Sequence, residues 1–370
     1  MSTQNDSVLW LYIGTYTRRA AHVQGKSEGI YLLHLDLEQG TLRPAGQVTG
    51  VDNPSYLALA PDGQHLYAVN EVSDFGGRSS GAVSSFAIDP ETGGLTFINQ
   101  QPSQGAAPCY VTVEASGRYV LAANYGGGSV VMFPIQRDGR LGVASDFVQH
   151  EGSSVNPQRQ EGPHAHSINV DPNNRFALAA DLGLDKLLIY RLDLEAGKLT
   201  PNPEQPWARV KAGAGPRHLA FHPNGRFVYV INELDSTMTA FAYDGERGTL
   251  KEIQTLSTLP EDFQGRSHCA DVHVHPSGKF VYGSNRGHDS IVIYACDEGS
   301  GELELVGHEP TQGAIPRDFA LDPTGTYLLA ANQNSDNIVV FRIDTRSGRL
   351  TPTGHVAQVP TPVCIQMRWP

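Results

Sequence analysis

The sequence predicts an all-β fold, a seven-bladed β-propeller of four-stranded antiparallel blades, and three observations predict it. First, an apolar run ending in a polar residue recurs as "DGQHLYAVN" (62–70), "SGRYVLAAN" (116–124), "NNRFALAAD" (173–181), "NGRFVYVIN" (224–232), "SGKFVYGSN" (277–285) and "TGTYLLAAN" (324–332), in steps of 47 to 57 residues, with "LWLYIGT" (9–15) one step earlier. Second, a Gly-then-Leu turn recurs seven times, at Gly40-Leu42, Gly94-Leu95, Gly139-Leu141, Gly197-Leu199, Gly248-Leu250, Gly301-Leu303 and Gly348-Leu350. Third, the chain opens on an apolar run with no strand before it, and its last residues, "TPVCIQMRWP" (361–370), read as a first strand with no second. Self-similarity at a fixed period marks a repeat architecture, and four-stranded units of about fifty residues are propeller blades.

Each blade is justified strand by strand. Strand A runs from a Pro into a tight turn, as in "PRHLAFHPNG" (216–225), and strand B is the apolar run. Strand C is "GIYLLHLD" (29–36), "KLLIYRLD" (186–193) or "NIVVFRID" (337–344), and strand D follows the Gly-Leu turn. Rich β-branched and aromatic content, period-2 stretches and Gly/Pro punctuation favour strands, and no convincing amphipathic helix is present. The Trp-Asp and Gly-His landmarks of WD40 repeats are missing. The C-terminal strand is expected innermost in the first blade, beside three N-terminal strands, which closes the ring and removes exposed edges. The expected organisation is one propeller domain over 8–370 behind a short polar tail, 1–7.

Composition narrows the function. The chain has 370 residues, 39% hydrophobic, with a formal net charge of −12. That balance argues against a general nucleic-acid binder, which needs a basic face to displace counterions. "MSTQNDSVLW" lacks the basic and apolar regions of a signal peptide, and no apolar run approaches a membrane span, so a cytoplasmic location without nucleic-acid or membrane partners is expected. Cys109, Cys269, Cys296 and Cys364 are widely spaced with no CxxC, as expected of free buried thiols. Oligomeric state is not legible.

Because strands A and B form a hairpin, the starts of the A strands and the ends of the B strands gather at one face around the axis. Reading those positions blade by blade places Arg217, Arg286 and Arg317 at one mouth with His166, His218, Glu71, Glu233, Asp271 and Asp318. Arginine suits bidentate recognition of carboxylate or phosphate. His166 and Glu233 are candidate acid/base groups, while Asp271 and Glu71 are placed to orient or pair with the arginines. Arg317 and Asp318 equally suit a structural charge network. A long insertion, 146–167, delivers His164 and His166, and another, 71–82, follows strand B of the second blade; both are expected to cover the mouth in part.

Other features read as structural. His222 and His275 precede the A–B turns, at the opposite end from the arginines. His273 and His275 have period-2 spacing, but no further ligands at suitable spacing accompany them, so no metal or other cofactor is expected. The Asn residues ending strand B are expected to close the strand through local hydrogen bonds. "NYGGGS" (124–129) has no helix behind it and does not read as a phosphate loop.

The stretches "GPRHLAFHPNGRFVYVINEL" (215–234), "VYGSNRGHDSIVIY" (281–294) and "PRDFALDPTGTYLLAANQNSDNIVVFRID" (316–344) resemble the seven-bladed propeller lactonases over nearly the whole chain. That family includes propeller-type 6-phosphogluconolactonases and, more distantly, carboxy-cis,cis-muconate cyclases. The resemblance implies a metal-independent lactonase acting on a small anionic lactone, with the phosphogluconolactone of the pentose phosphate pathway as leading substrate. The His, two Arg and Glu of the muconate branch fall on His166 in "HAHS", Arg217 in "GPRH", Arg286 in "SNRG" and Glu233 in "NEL". His164 is an alternative to His166, because "GPHAHSINVDPN" holds two extra residues. Arg317, His218, Asp271, Glu71 and His164 are expected to contribute to substrate binding. Which of His166 and Glu233 is acid and which is base stays open. Two other readings remain: a lactonase or lactonising cyclase for another carboxylate or sugar lactone, and a noncatalytic propeller scaffold, which would show an apolar rim patch instead of polar groups at the axis. The segment "GRSHCADVHVHPSG" (265–278) lacks the Pro that opens other A strands, so its register at Arg266 and His268 is open.

Overall fold

Alternating apolar strands cannot bury both faces within one sheet, so the sheets must stack side by side, and in this chain seven of them do so around a ring. The structure, a computed structural model, describes residues 7–20 and 23–370; most of the expected N-terminal tail lies outside them. Blades 2 to 7 each follow the order A-B-C-D. The inner strands are Leu57–Leu59, Pro108–Val113, Ala165–Val170, Pro216–Phe221, His268–Val274 and Pro316–Leu321. Blade 4 carries an additional short strand, Trp207–Arg209, against its strand C. Blade 1 is assembled from both ends: Pro362–Arg368 is innermost, followed by Val8–Thr15, Gly29–Asp36 and Thr41–Thr49. The closure expected from the sequence is thus the one observed. Among the described residues there is no helix.

The core lies between blades. Seven apolar clusters each bridge two adjacent sheets, such as Tyr229, Ile231 and Met238 of blade 5 against Val272, Val281 and Val292 of blade 6. The turn glycine between strands C and D explains its recurrence. Each adopts a positive φ, 77° at Gly301, where a Cβ is strained. Each also lies against the first residues of the preceding blade's strand B: a Cβ on Gly301 would sit 2.4 Å from the Phe227 ring. The same contact joins Trp10 to Gly93, His65 to Gly139, Tyr119 to Gly197, Phe176 to Gly248, Phe280 to Gly348 and Tyr327 to Gly40, which carries the set around the ring. In blade 2 the left-handed glycine is therefore Gly93, not the Gly94 read from sequence; Gly93-Leu95 restores the two-residue spacing of the other blades.

The inner hairpins contain the feature that builds the site. Pro216 pairs with Asn232 and His218 with Ile231, leaving Arg217 as an extra residue. Such a bulge re-aims one side chain and bends the strand. The same slip isolates Cys109, His166, Arg317 and Val363. Of the residues read from sequence near the start of strand A, His166, Arg217 and Arg317 are bulge residues. In blade 6, where the opening Pro is missing, the strand begins at His268 and the irregularity spans Cys269 to Val272.

The structural expectations for the remaining polar residues hold. His222 Nε2 and His275 Nε2 donate to Gly278 O and Gly325 O in the next blade's turn, at 2.8 and 2.9 Å. Asn232 Nδ2 donates to Thr237 Oγ1 and Asn285 Nδ2 to Thr258 O. All four cysteines are free, with Cys296 only partly buried.

Candidate active site

The bulges and strand ends converge on a cavity of about 370 Å³ lined by Glu71, Cys109, Tyr125, Arg159, His166, Glu233, His268, Arg286 and Arg317. A much smaller recess shares several of these walls and reaches Tyr16, Ser55, Arg217, His218 and Val363. A cleft of about 450 Å³ between blades 1 and 2 is larger, but its charged groups are only Arg18, Asp52 and Asp74, and the first two form an exposed ion pair. The axial cavity is where the chemistry concentrates.

Glu233 is its centre. Its Oε1 accepts a hydrogen bond from Arg159 Nη2 at 2.6 Å, and its Oε2 lies 3.2 Å from Arg217 Nε and 2.9 Å from Arg286 Nη2. Burial pushes this carboxyl up, but Arg286, Arg217, His166 and Arg159 together hold it well below the usual carboxylate range. Burial lowers Arg286 to about 10 against the pull of Glu233, with Arg217 and Arg317 adding to the shift, so it stays charged at neutral pH. The arginines are held in turn: Arg217 Nη1 donates to Ala270 O, and Arg286 Nη2 to Cys269 O at 2.7 Å.

Across the cavity Glu71 has the opposite character. Its Oε2 accepts from Tyr16 OH at 2.8 Å and Ser55 Oγ at 2.5 Å. Burial raises its pKa above the usual value, with Arg317, Ser55, Tyr16 and Arg217 opposing. Arg317 also lies over the Tyr16 ring, 5.5 Å from its centre. Two carboxyls in one site whose surroundings drive them apart are the pattern of an acid and a base.

His166 is 4% exposed, in edge contact with Tyr125 and His218, with Cys109 Sγ 3.6 Å from its Nδ1. Burial, then Arg217 and His218, push its pKa well below that of free imidazole, so it is neutral at neutral pH. Burial pushes the Cys109 thiol up, which removes it as a thiolate nucleophile. His218 is buried behind Arg217. Its Nε2 lies 3.2 Å from Arg217 Nη1, which can only donate, so Nδ1 carries the proton and donates to Asp271 Oδ1 at 2.7 Å. Burial and Arg217 lower His218 to about 4, against Asp271.

Of the residues read from sequence, the structure brings Glu71, His166, Glu233, Arg286 and Arg317 to the cavity, and Arg217 and His218 to its recess. Of the two candidate histidines, His166 lines the cavity, whereas His164 stacks on Tyr125, its Nδ1 3.0 Å from Tyr125 O and its Nε2 3.2 Å from Glu161, and does not line it. Asp271 stands one layer deeper, bonded by both His218 and His273, and lines neither the cavity nor its recess. Asp318 accepts from Ile365 N at 2.7 Å. Burial and neighbouring Asp271 raise Asp318 well above the carboxylate range, whereas, against its burial, His273 and His218 hold Asp271 well below it, so the proton of the pair lies on Asp318. Asp271, His273 and Asp318 bring ligand-type atoms within 4.8 Å of one another, a grouping that sequence spacing did not reveal, and both oxygens of Asp271 are already engaged by histidines.

Three wall residues were missed. Tyr125 directly follows strand B of blade 3, Tyr119–Asn124, and its position alone suggested no role. His268, whose Nδ1 lies 3.3 Å from Glu233 O, was obscured by the missing Pro. Arg159 comes from the 146–167 insertion, which has no counterpart in other blades for alignment. The 71–82 insertion does not cover the mouth: beyond Glu71 it turns away, and Val72, Asp74, Phe75 and Gly76 line the cleft between blades 1 and 2.

Comparison with known proteins identifies the family. Residues 10–367 match the family model described as lactonase, 7-bladed beta-propeller. The chain is similar to the 6-phosphogluconolactonase of Bacillus subtilis, 39% identical over 311 residues, 84% of each chain. Among solved structures it is similar to a putative 6-phosphogluconolactonase from Bacteroides fragilis, with 38% identity and a TM-score of 0.90 over 100% of this chain and 99% of that one. It is likewise similar to a periplasmic gluconolactonase of Pseudomonas aeruginosa, with 35% identity and a TM-score of 0.91 over 98% and 100%.

Proposed function

This chain belongs to the seven-bladed β-propeller lactonase family, and from that premise we propose that it hydrolyses 6-phospho-D-glucono-1,5-lactone to 6-phosphogluconate. The observation that carries this reading is the set of four arginines, Arg159, Arg217, Arg286 and Arg317, gathered around two carboxyls of opposite character in one cavity. Their excess positive charge suits an anionic substrate.

Hydrolysis needs water activated at the lactone carbonyl, charge stabilised on the carbonyl oxygen, and a proton for the leaving ring oxygen. Glu233 is ionised and takes the proton from water. Arg217 and Arg286 face the oxygen on which charge develops. His166 is a neutral imidazole and Glu233 a carboxylate, so neither is in its acid form at neutral pH. Glu71, whose pKa burial raises above the ordinary carboxylate value, is the group assigned to supply a proton to the ring oxygen. His166 orients the water. A lactone is a reactive ester, and positioning with electrostatics suffices without a covalent nucleophile.

The test is a lactone panel followed by proton release against spontaneous hydrolysis. Acceleration of the phosphorylated gluconolactone is expected, and its absence overturns the substrate. A second reading, unphosphorylated gluconolactone, is favoured by the likeness to the Pseudomonas aeruginosa protein and would show as preference for that lactone in the same panel.

A further inference from the structure

Arg159 differs from the other arginines of the site. Arg217, Arg286 and Arg317 belong to the propeller strands themselves, whereas Arg159 projects from the blade 3–4 insertion. Side-chain exposure grades with depth, 3% at Arg217, 12% at Arg286 and 35% at Arg159, which places Arg159 at the entrance. Its partners at the site are Glu233 Oε1 at 2.6 Å and Tyr125 OH at 3.2 Å.

The backbone beneath it is pinned. His150 is wedged between Asp181 at 2.6 Å and Tyr190 at 2.9 Å. Ser154 and Gln160 both bond Asp185, and Asn156 Oδ1 accepts from Arg159 N at 3.2 Å. Movement of the guanidinium therefore asks only for rotation of a long, partly solvated side chain. The pairing on Glu233 is also divided: among the described residues Arg217 and Arg286 approach Oε2, and Arg159 is the one hydrogen-bonded to Oε1. Withdrawal of Arg159 leaves Glu233 neutralised through Oε2 and opens Oε1 to water.

We propose that Arg159 is a specificity-determining residue of this site: it exchanges Glu233 Oε1 for the phosphate of a phosphorylated lactone, so that the substrate's distal anion both anchors the molecule at the entrance and uncovers the carboxylate that activates water. This rests on the reading of the protein as a lactonase for the phosphorylated substrate. A lactone without a distal anion leaves Arg159 on Glu233 and meets a blocked base.

The experiment compares the wild type with Arg159→Ala and Arg159→Lys on the phosphorylated and unphosphorylated gluconolactones, with inorganic phosphate as competing ligand. The ratio of kcat/KM for the phosphorylated over the unphosphorylated lactone is expected to fall by about ten- to a hundredfold in Arg159→Ala, the scale of one charged hydrogen bond, with Arg159→Lys between. Inhibition by inorganic phosphate weakens in parallel. A merely structural role, as an anchor of the insertion, lowers both lactones together; an unchanged ratio with unchanged phosphate inhibition overturns the assignment of Arg159 while leaving the lactonase reading intact. Wild-type protein that fails to accelerate the phosphorylated lactone overturns both, and is recognised before any variant is made.

Discussion

His218 donates its Nδ1 proton to Asp271 Oδ1 over 2.7 Å, and that bond fixes how Arg217 is held. With the proton on Nδ1, Nε2 faces Arg217 Nη1 as an acceptor at 3.2 Å. Asp271→Asn removes the acceptor that selects this tautomer and can offer a donor instead, turning a hydrogen toward the guanidinium. We expect kcat to fall by about ten- to a thousandfold, a fraction of what tautomer loss costs where the histidine itself transfers the proton. Arg217→Lys in the same background should add little. Full activity in Asp271→Asn would show that Arg217 is positioned by Glu233 and Ala270 alone.

Glu233→Gln tests the base. Activity should drop at least about a hundredfold, the scale typical of general bases. The stability effect has a defined sign. A carboxylate with a depressed folded pKa contributes stability above its unfolded value, about 4.3, and that contribution is lost as pH falls through the folded value. The wild type should thus exceed Glu233→Gln in stability at pH 6 to 7, with the gap closing below about pH 4. The gap should be smaller than the roughly 3–5 kcal/mol of a fully buried pair, because Arg159 and Arg286 reach solvent. Urea titrations at several pH values check both statements, and a gap that widens in acid contradicts the pairing.

How far the sequence carries depends on repetition. The seven copies made the fold, the closure and the ring legible, because most blades sampled the same offset from an opening Pro, and that offset proved to be a bulge at Cys109, Arg217, Arg317 and Val363. Arg217 and Glu233 were found in this way, at the two ends of one hairpin. Arg159 was not, since an insertion peculiar to one blade gives a comparison nothing to align. Asp271 was placed at the mouth because position along a strand does not reveal depth: it bonds His218 behind Arg217 and does not line the cavity. His164 and His166 were separable only once the bulge showed which of them turns inward.

Glu71 makes a pH prediction. The groups facing it are Tyr16, Ser55, Cys109, His166, Arg217 and Arg317. Its raised pKa means that the protonated form is lost as pH rises through the folded value, so enzymatic kcat, corrected for spontaneous opening, should decline on the alkaline side. Glu71→Gln cannot give up a proton and should lower kcat by about a hundredfold or more while removing that decline. A decline that persists in Glu71→Gln would move the acid role to another group.

The turn glycines allow the ring's seams to be tested separately from backbone strain. Gly225 and Gly301 both hold positive φ, 70° and 77°, but a Cβ on Gly225 meets nothing within 4 Å, whereas one on Gly301 collides with Phe227. Gly225→Ala should therefore cost only the left-handed strain, about 1–2 kcal/mol. Gly301→Ala should cost that and a further 1–3 kcal/mol or so for overpacking. Phe227→Leu should recover part of the second loss only in the Gly301→Ala background, a coupling read from urea midpoints at constant m. The seam concerned lies between blades 5 and 6, and the same two blades carry Arg217 and Glu233 on one side and Arg286 on the other. Loosening it should widen the 2.9 Å contact between Arg286 and Glu233, so kcat should fall in Gly301→Ala under conditions where the protein is still folded. Equal costs for the two glycines, with kcat retained, would mean that the interblade contact does not set the geometry of the site.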